Sequence, residues 1–364
     1  MVITVPRFGT ACLAAKVLFD GLRIPYVIPE KLNNDTIKAG CLISPEEICL
    51  PFKAMMGSIL ECSEKGADTV LITGSCGPCR FGEYPELSSK LLKSLKKDVG
   101  MIVIDPPSEI GAKELWRRIR TLTSQSGRSV FAKIGALADS LRALSLADGL
   151  AARARMAAGY EAEKGAAKKL IRECEKEVFR LTEGAAVIKA LKSYRKKLRG
   201  IKTDPGKEPV KIALAGEIYS MIEPFANLYI EEKLMDRGVC SKRLITPGWW
   251  LKDLALKPFG LNSLKIKRAC VKYLPSGVGG HAKETVAHAV VSRKEGFDGV
   301  IQIYPLGCMP EIIAKSVLPA VREEEGIPVL SLAIDEMTGE AGYETRIDAF
   351  LDMLEAKKRR GAGV

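Results

Sequence analysis

Short apolar runs rich in Val, Ile and Thr recur at both ends of the chain, separated by stretches whose apolar residues follow helical spacing. Val2–Val5, Tyr26–Ile28, Thr69–Thr73 and Met101–Ile104 have the length and composition of strands. Segments around 11–21, 46–65 and 85–97 read as helices between them. The alternation returns after residue 205, with strands expected at Lys211–Ala215, Gly299–Tyr304 and Val329–Ile334 and helices around 221–236, 282–295, 310–324 and 343–356. Such β/α alternation predicts parallel sheets covered on both faces, an α/β fold. Residues 111–204 carry almost no strand pattern and read as a helical insert, helical throughout from Ala151 to Leu198. The pattern therefore divides the chain into an N-terminal α/β lobe (1–110), a basic helical insert (111–204) and a C-terminal α/β lobe (205–364). Asp204-Pro205-Gly206 forms a natural hinge, because Pro and Gly both stop a helix. The Lys/Arg-rich tail from Lys357 is expected to fray.

A faint repeat links the outer blocks. Lys65-Gly66-Ala67-Asp68-Thr69-Val70-Leu71-Ile72 parallels Glu295-Gly296-Phe297-Asp298-Gly299-Val300-Ile301-Gln302. In each, a helix ends on Gly and a strand begins after Asp. Each strand then runs into a cysteine loop: Gly74-Ser75-Cys76-Gly77-Pro78-Cys79 in the first, Leu306-Gly307-Cys308-Met309-Pro310 in the second. Ligands of open α/β sheets sit beyond the carboxyl ends of the strands, so both loops lie where a site is expected. Two similar lobes facing each other would bring the loops together at a cleft.

Composition narrows the class. The 364 residues are 47% hydrophobic and 27% charged, enough to build a full core. No apolar run reaches the ~18 residues of a membrane span, and the start reads as a strand rather than a signal peptide. The expectation is a cytoplasmic protein with no membrane association. Net charge is +12, concentrated in residues 151–204, where 15 Lys/Arg against 7 Asp/Glu give +8. That stretch reads as a patch for an acidic partner, nucleotide or phosphate-bearing substrate, or as a solvated helical face. No nucleic-acid-binding motif accompanies it, so no nucleic-acid partner is expected. With only His281 and His288 present, a His-rich metal site is excluded.

The ten cysteines carry the chemistry. In a long cytosolic chain they point to metal, redox chemistry or packing rather than a disulfide scaffold. Cys49 lies between Pro45 and Pro51; Cys76, Cys79 and Cys308 follow strands. All sit beside Pro or Gly, in tight loops whose backbone N–H groups are free to point at a buried anion. Iron–sulfur clusters are held by thiolates and stabilised by such amides. Cys12, Cys62 and Cys174 read as packing inside helices, and Cys240 and Cys270 as structural residues near strand starts. Cys41, on a loop before Cys49, is a further candidate ligand. Cys76-Gly77-Pro78-Cys79 is also the dithiol tetrapeptide of thioredoxin, although Gly82 and Pro85 follow where that enzyme needs a continuous helix and no Trp precedes the pair. Zinc accepts four thiolates equally well by spacing.

Several segments together resemble one family. These are Cys49 in its Pro-flanked turn, Gly77-Pro78-Cys79-Arg80-Phe81-Gly82, Gly216-Glu217-Ile218-Tyr219 with Glu223-Pro224-Phe225, and Gly279-Gly280-His281. Gly307-Cys308-Met309-Pro310-Glu311, and Asp335-Glu336-Met337-Thr338-Gly339-Glu340-Ala341-Gly342 followed by Thr345-Arg346, complete the set. The chain resembles the 2-hydroxyacyl-CoA dehydratase D-component superfamily, which includes benzoyl-CoA reductase subunits and double-cubane cluster proteins, and within it the short activase-related branch. The resemblance implies two flavodoxin-like (Rossmann-like) lobes with an iron–sulfur cluster between them. It also implies low-potential electron transfer, with electrons arriving from a separate ATP-dependent activator protein. Cys49, Cys79 and Cys308 match the cluster ligands, and Cys76 is the candidate fourth. Three matching cysteines favour a 4Fe–4S cluster; an 8Fe–9S double cubane would need more thiolates or a second chain. The family's segment usually reads Asp-Glu-His-Thr-Gly, and Met337 here replaces the imidazole. No phosphate loop or Rossmann glycine fingerprint occurs, so the chain is not expected to hydrolyse ATP.

The leading expectation is a cluster-bearing electron carrier or reductase acting on a small molecule or acyl-CoA thioester, with a homo- or heterodimer as the candidate assembly. Its alternatives are a non-catalytic cluster carrier or maturation protein, and a dithiol oxidoreductase. Glu311, at a helix start, is a candidate to orient a ligand or carry a proton, against a plain dipole-favoured carboxylate. His281 is a candidate substrate or sulfide contact, against helix capping. Arg346 and Glu340 suggest a buried pair, and Trp249 and Trp250 a core or interface position.

Overall fold

The opening strand β1 (Ile3–Thr4) leads into α1 (Ala11–Leu22), α2 (Asn34–Ile43) and α3 (Leu50–Glu64), then β2 (Thr69–Thr73), α4 (Tyr84–Ser94) and β3 (Gly100–Ile104). In this computed structural model residues 1–74, 79–256 and 263–361 are described. Helices follow: α5 (Pro107–Ile110), α6 (Ala112–Thr123), α7 (Val130–Ala158), α8 (Ala166–Arg180) and α9 (Gly184–Arg199). The chain then alternates again through β4 (Lys211–Gly216), α10 (Ile218–Ile222), α11 (Ile230–Asp236), β5 (Cys240–Arg243), α12 (Pro247–Leu256), α13 (Leu264–Cys270) and α14 (Ala282–Lys294). It ends with β6 (Gly299–Pro305), α15 (Met309–Glu325), β7 (Val329–Ile334) and α16 (Glu340–Gly361).

Two all-parallel sheets result, one of three strands in the order β1-β2-β3 and one of four in the order β5-β4-β6-β7. This is the α/β architecture expected of two flavodoxin-like lobes. In the first, Thr69–Thr73 pairs residue for residue with Gly100–Ile104. In the second, Val300–Pro305 pairs with Val329–Ile334. Parallel strands covered on both faces need near-continuous apolar runs; β6 is buried along its whole length.

The chain forms two compact units. One comprises Met1–Asp148, Glu175–Ser193 and Pro247–Asn262, the other Gly149–Cys174, Tyr194–Thr246 and Ser263–Val364. Each carries one sheet. The helices between residues 111 and 204 are shared between the units, and their only β contact among the described residues is an isolated bridge between Glu161 and Thr203.

The repeat seen in sequence has a physical basis. Gly66 and Gly296 take positive φ (94° and 76°) where α3 and α14 end, a conformation glycine adopts without a Cβ penalty. Asp68 and Asp298 then do the same work. The Asp68 side chain accepts from Val2 N–H at 2.8 Å while its own N–H donates to the Val2 carbonyl. Asp298 accepts from Lys211 N–H at 2.8 Å and donates back to the Lys211 carbonyl. Each Asp thus fixes the register of the neighbouring strand.

Several expectations need correction. Tyr26–Ile28 is no strand; Tyr26 makes one bridge to Ile3, because Pro25 and Pro29 lack the N–H groups a ladder needs. The helix expected from residue 46 begins at Leu50, since Cys49 is its cap and Pro51 lies in its first turn. Cys41 is in a helix, not a loop: α2 starts at a capping box in which Asn33 accepts from Thr36 N–H and the Thr36 hydroxyl reciprocates. The helix expected over 221–236 is two, α10 and α11, and Ala151–Leu198 spans parts of three helices. Cys270 ends α13 rather than opening a strand.

The basic region is partly neutralised. Arg155, Lys168 and Arg172 pair with Glu231, Asp236 and Glu232 of the acidic helix α11. Arg346 is exposed and donates to the Ser331 carbonyl, while Glu340 pairs with Lys233, so the expected Arg346–Glu340 pair does not form.

Candidate functional site

In the first unit, Cys49 is the N-cap of α3, with φ −67° and ψ 149°. Pro51 is pre-shaped for the first turn and needs no hydrogen-bond acceptor. The Cys49 Sγ lies 2.8 Å from the Tyr84 hydroxyl. Tyr84 is 2% exposed and packs edge-on against Phe52 (centroids 4.9 Å apart) and against Phe81 (5.0 Å). Cys79 caps the 3-10 turn Arg80–Glu83 that leads into Tyr84. Arg80 reaches back to the Glu47 carbonyl at 2.9 Å. The Cys49 and Cys79 segments are therefore bound to each other twice, through Tyr84 and through Arg80. Cys76 lies outside the described residues.

In the second unit, Cys308 is the N-cap of α15 with φ −73° and ψ 98°, followed by Pro310. Its own N–H donates to Pro305 and its carbonyl accepts from Ile312. The Cys-x-Pro start of α3 is thus repeated at α15. At such a start the first backbone N–H groups have no partner within the helix, and the positive end of the macrodipole favours a thiolate over a thiol.

Glu311, one turn further, is fully buried. Both carboxylate oxygens accept from the Thr285 hydroxyl (2.9 and 3.0 Å). Gln302 on β6 donates to Oε2 at 2.9 Å and to the Glu311 carbonyl at 3.0 Å, and is itself held by Ser331 on β7 at 2.7 Å. Burial pushes the Glu311 pKa up to about 8; the hydrogen bonds from Gln302 and Thr285 oppose this, and the Glu217 charge adds to it. Glu311 therefore holds a proton at neutral pH.

Glu217 follows β4 at the same carboxyl edge. Its oxygens cap α10, accepting from Tyr219 N–H, Ser220 N–H and the Ser220 hydroxyl at 2.8–2.9 Å. The residue is half-buried and its carboxyl end is the enclosed part; burial raises its pKa against those bonds. Gly216 before it has φ +140°, and a Cβ there would fall 1.8 Å from the Ile303 carbonyl oxygen. Only glycine lets β4 end so close to β6. His281 is the N-cap of α14, but its side chain makes no capping bond; its carbonyl accepts from Thr285 N–H. The preceding Gly280 touches Pro310, where a Cβ would come 2.9 Å from the ring. The His281 turn and the Cys308 turn are neighbours in one unit.

A pH dependence follows from Glu311. A carboxyl whose folded pKa lies above its unfolded value of ~4.3 stabilises the fold below that value and loses the contribution as pH rises toward about 8. Between those limits the wild type is expected to lose on the order of a few kcal/mol from this group. Glu311→Gln, titrated by urea unfolding from acid to mildly alkaline pH, should flatten that slope. An unchanged slope would place the effect elsewhere.

Glu217, Tyr84, Thr285 and Gln302 have no assigned role in the sequence reading. Glu217 carries a signal, a carboxylate three residues before Ser220 directly after a strand. Tyr84 carries none, since nothing in its spacing ties it to Cys49. Cys12, Cys62, Cys174, Cys240 and Cys270 are all buried, the positions of packing residues. Among the described residues no group of three or more His, Cys, Asp or Glu stands ready to hold a metal ion, and no helix is long and apolar enough to cross a membrane. Cys49 and Cys79 belong to the first unit and Cys308 to the second.

No curated protein matches the sequence. The model of the 2-hydroxyglutaryl-CoA dehydratase D-component family matches residues 14–354, from α1 to the penultimate turns of α16 and across Cys49, Cys79 and Cys308, and the chain belongs to that family.

Proposed function

We propose that the chain is an iron–sulfur protein of low-potential electron transfer, a reductase whose cluster is held by Cys49, Cys79 and Cys308, with Cys76 as fourth ligand. The observation that carries this reading is the repeated Cys-x-Pro helix start at α3 and α15, in a chain matched by the family along nearly its whole length. The donor set fits the group. Cys49, Cys79 and Cys308 offer sulfur, half-buried rather than sealed, and Cys49 and Cys308 stand beside helix-start amides that favour anionic sulfur. A bound 4Fe–4S centre would supply one-electron reduction.

The chain's own residues do the rest. Tyr84 orients the Cys49 sulfur through its hydroxyl. Arg80 fastens the Cys79 turn to the Cys49 turn. Protonated Glu311 fixes the start of α15, and with it Cys308, against β6 and α14. Electrons are expected from an ATP-dependent activator protein, and an acyl-CoA thioester or small molecule is the expected acceptor. Glu311 and His281 remain the candidate residues for proton handling and acceptor contact on the Cys308 side.

Anaerobic purification with iron and sulfide analysis and electron paramagnetic resonance tests this. About four irons per chain supports a single cubane and about eight the double cubane. Iron-free protein with reversible Cys76–Cys79 oxidation, or zinc in place of iron, overturns the proposal. A cluster that never reduces an acyl-CoA acceptor in the presence of its electron donor would reassign the chain as a carrier.

A further inference from the structure

Helix α7 has two faces of opposite fate. Ala136, Ser140, Ala143, Leu144 and Ala147 are buried; Ala136 joins the core around Ile3 and Phe19, and the Ser140 hydroxyl donates to the Ala14 carbonyl on α1 at 2.7 Å. The other face is apolar and open to solvent. Val130 is 67% exposed, Phe131 87%, Ile134 59%, Leu137 49% and Leu141 46%. At 100° per residue, Val130, Ile134, Leu137 and Leu141 fall within about 60° of one another. Their 4-3-4 spacing is the seam of a helix that packs against another helix. Scattered exposed apolar residues need no explanation, but a continuous stripe does.

We propose that this stripe is a two-fold interface with a second copy of the chain. Its area is suited to that partner. The five side chains expose on the order of 500 Å² of apolar surface, so pairing with its copy would bury roughly 1,000 Å², the threshold for a specific interface. Its charge is suited as well. The other exposed positions over 130–145 are Gly135, Ala138, Arg142 and Ser145, with Lys133 and Asp139 half-buried, so the face has a net charge of only +1 and offers a strongly charged partner little to pair with. A copy presents the same nearly uncharged ridge, as an isologous contact requires. Gly135 and Ala138 leave room for close helix approach. The proposal uses only the surface of the first unit and is independent of the metal reading.

Light scattering on the full chain over a wide range of concentration tests it. The wild type is expected at twice the chain mass, and Phe131→Glu/Ile134→Glu at the chain mass, with unchanged circular dichroism. Wild type at the chain mass throughout, or a double variant that stays at twice that mass, overturns the proposal. Hydrogen exchange on the wild type provides a second reading free of any substitution. Amides of residues 130–142 should gain protection as concentration rises; no change there also overturns it.

Discussion

Replacing Cys49, Cys79 or Cys308 singly by alanine is expected to remove most of the bound iron, whereas Cys174→Ala leaves iron unchanged. The three candidates cap helical turns, half-buried, beside amides that stabilise a thiolate; Cys174 is 3% exposed inside α8 and packs as an apolar residue. Cys49→Ala has a second effect, because it takes away the sulfur next to the Tyr84 hydroxyl. Losing that one contact is expected to cost about 1 kcal/mol. Cys49→Ser separates the two effects: it keeps an oxygen near Tyr84, so stability should be largely retained, while a serine is a poor ligand for iron. Loss of iron in Cys49→Ser with an unchanged melting temperature of the iron-free protein would assign Cys49 to the metal. Full iron content in Cys79→Ala would remove Cys79 from the ligand set.

The second large effect is on stability. Arg155 on α7 and Arg243 at the end of β5 are 4% and 6% exposed, and both face Glu231 on α11. Arg155 lies 3.2 Å from one carboxylate oxygen and Arg243 3.5 Å from the other; Arg243 also donates to the Met221 carbonyl at 2.7 Å. A buried ion cluster contributes little beyond what a well-packed apolar cluster would, but breaking one strands its charges. Glu231→Ala takes this carboxylate away from two guanidinium groups in the interior and is expected to cost ~3–5 kcal/mol, a large share of the ~5–15 kcal/mol that holds a domain folded. Urea unfolding of the variant should show a lower midpoint. Adding Arg155→Met should recover part of the loss by removing one stranded charge. A Glu231→Ala midpoint equal to wild type would show that the arginines find other partners or water.

Short apolar runs were legible as strands: Thr69–Thr73, dense in β-branched residues, and Val329–Ile334, apolar in five of six positions, have the bounds their composition implies. Cys240–Arg243 was legible only at its start, where Cys240 reads as lying near the beginning of a strand. It is a short edge strand carrying Lys242 and Arg243, and edges tolerate charge. Helix α2 was missed because its capping box uses Thr36 where Glu or Gln is usual. The helix starts beside Cys49 and Cys308 were legible through Pro51 and Pro310. The Glu311 network was legible only as a carboxylate at a helix start; its burial depends on Gln302 and Thr285, which reach it from a strand and a helix with no local sequence signal. Contacts between residues far apart in sequence leave no trace in local patterning.

The interleaving of the two units bears on how the polypeptide matures on the ribosome. The first unit needs the stretch 247–262, yet the second has begun to emerge at Gly149. The first unit must wait, incomplete, through the synthesis of about a hundred later residues, at ~5–20 residues per second. During that interval the part of the first unit that residues 247–262 will pack against is open to solvent. A chaperone that holds nascent chains would find its longest-lived target in the first 150 residues rather than at the end of the chain.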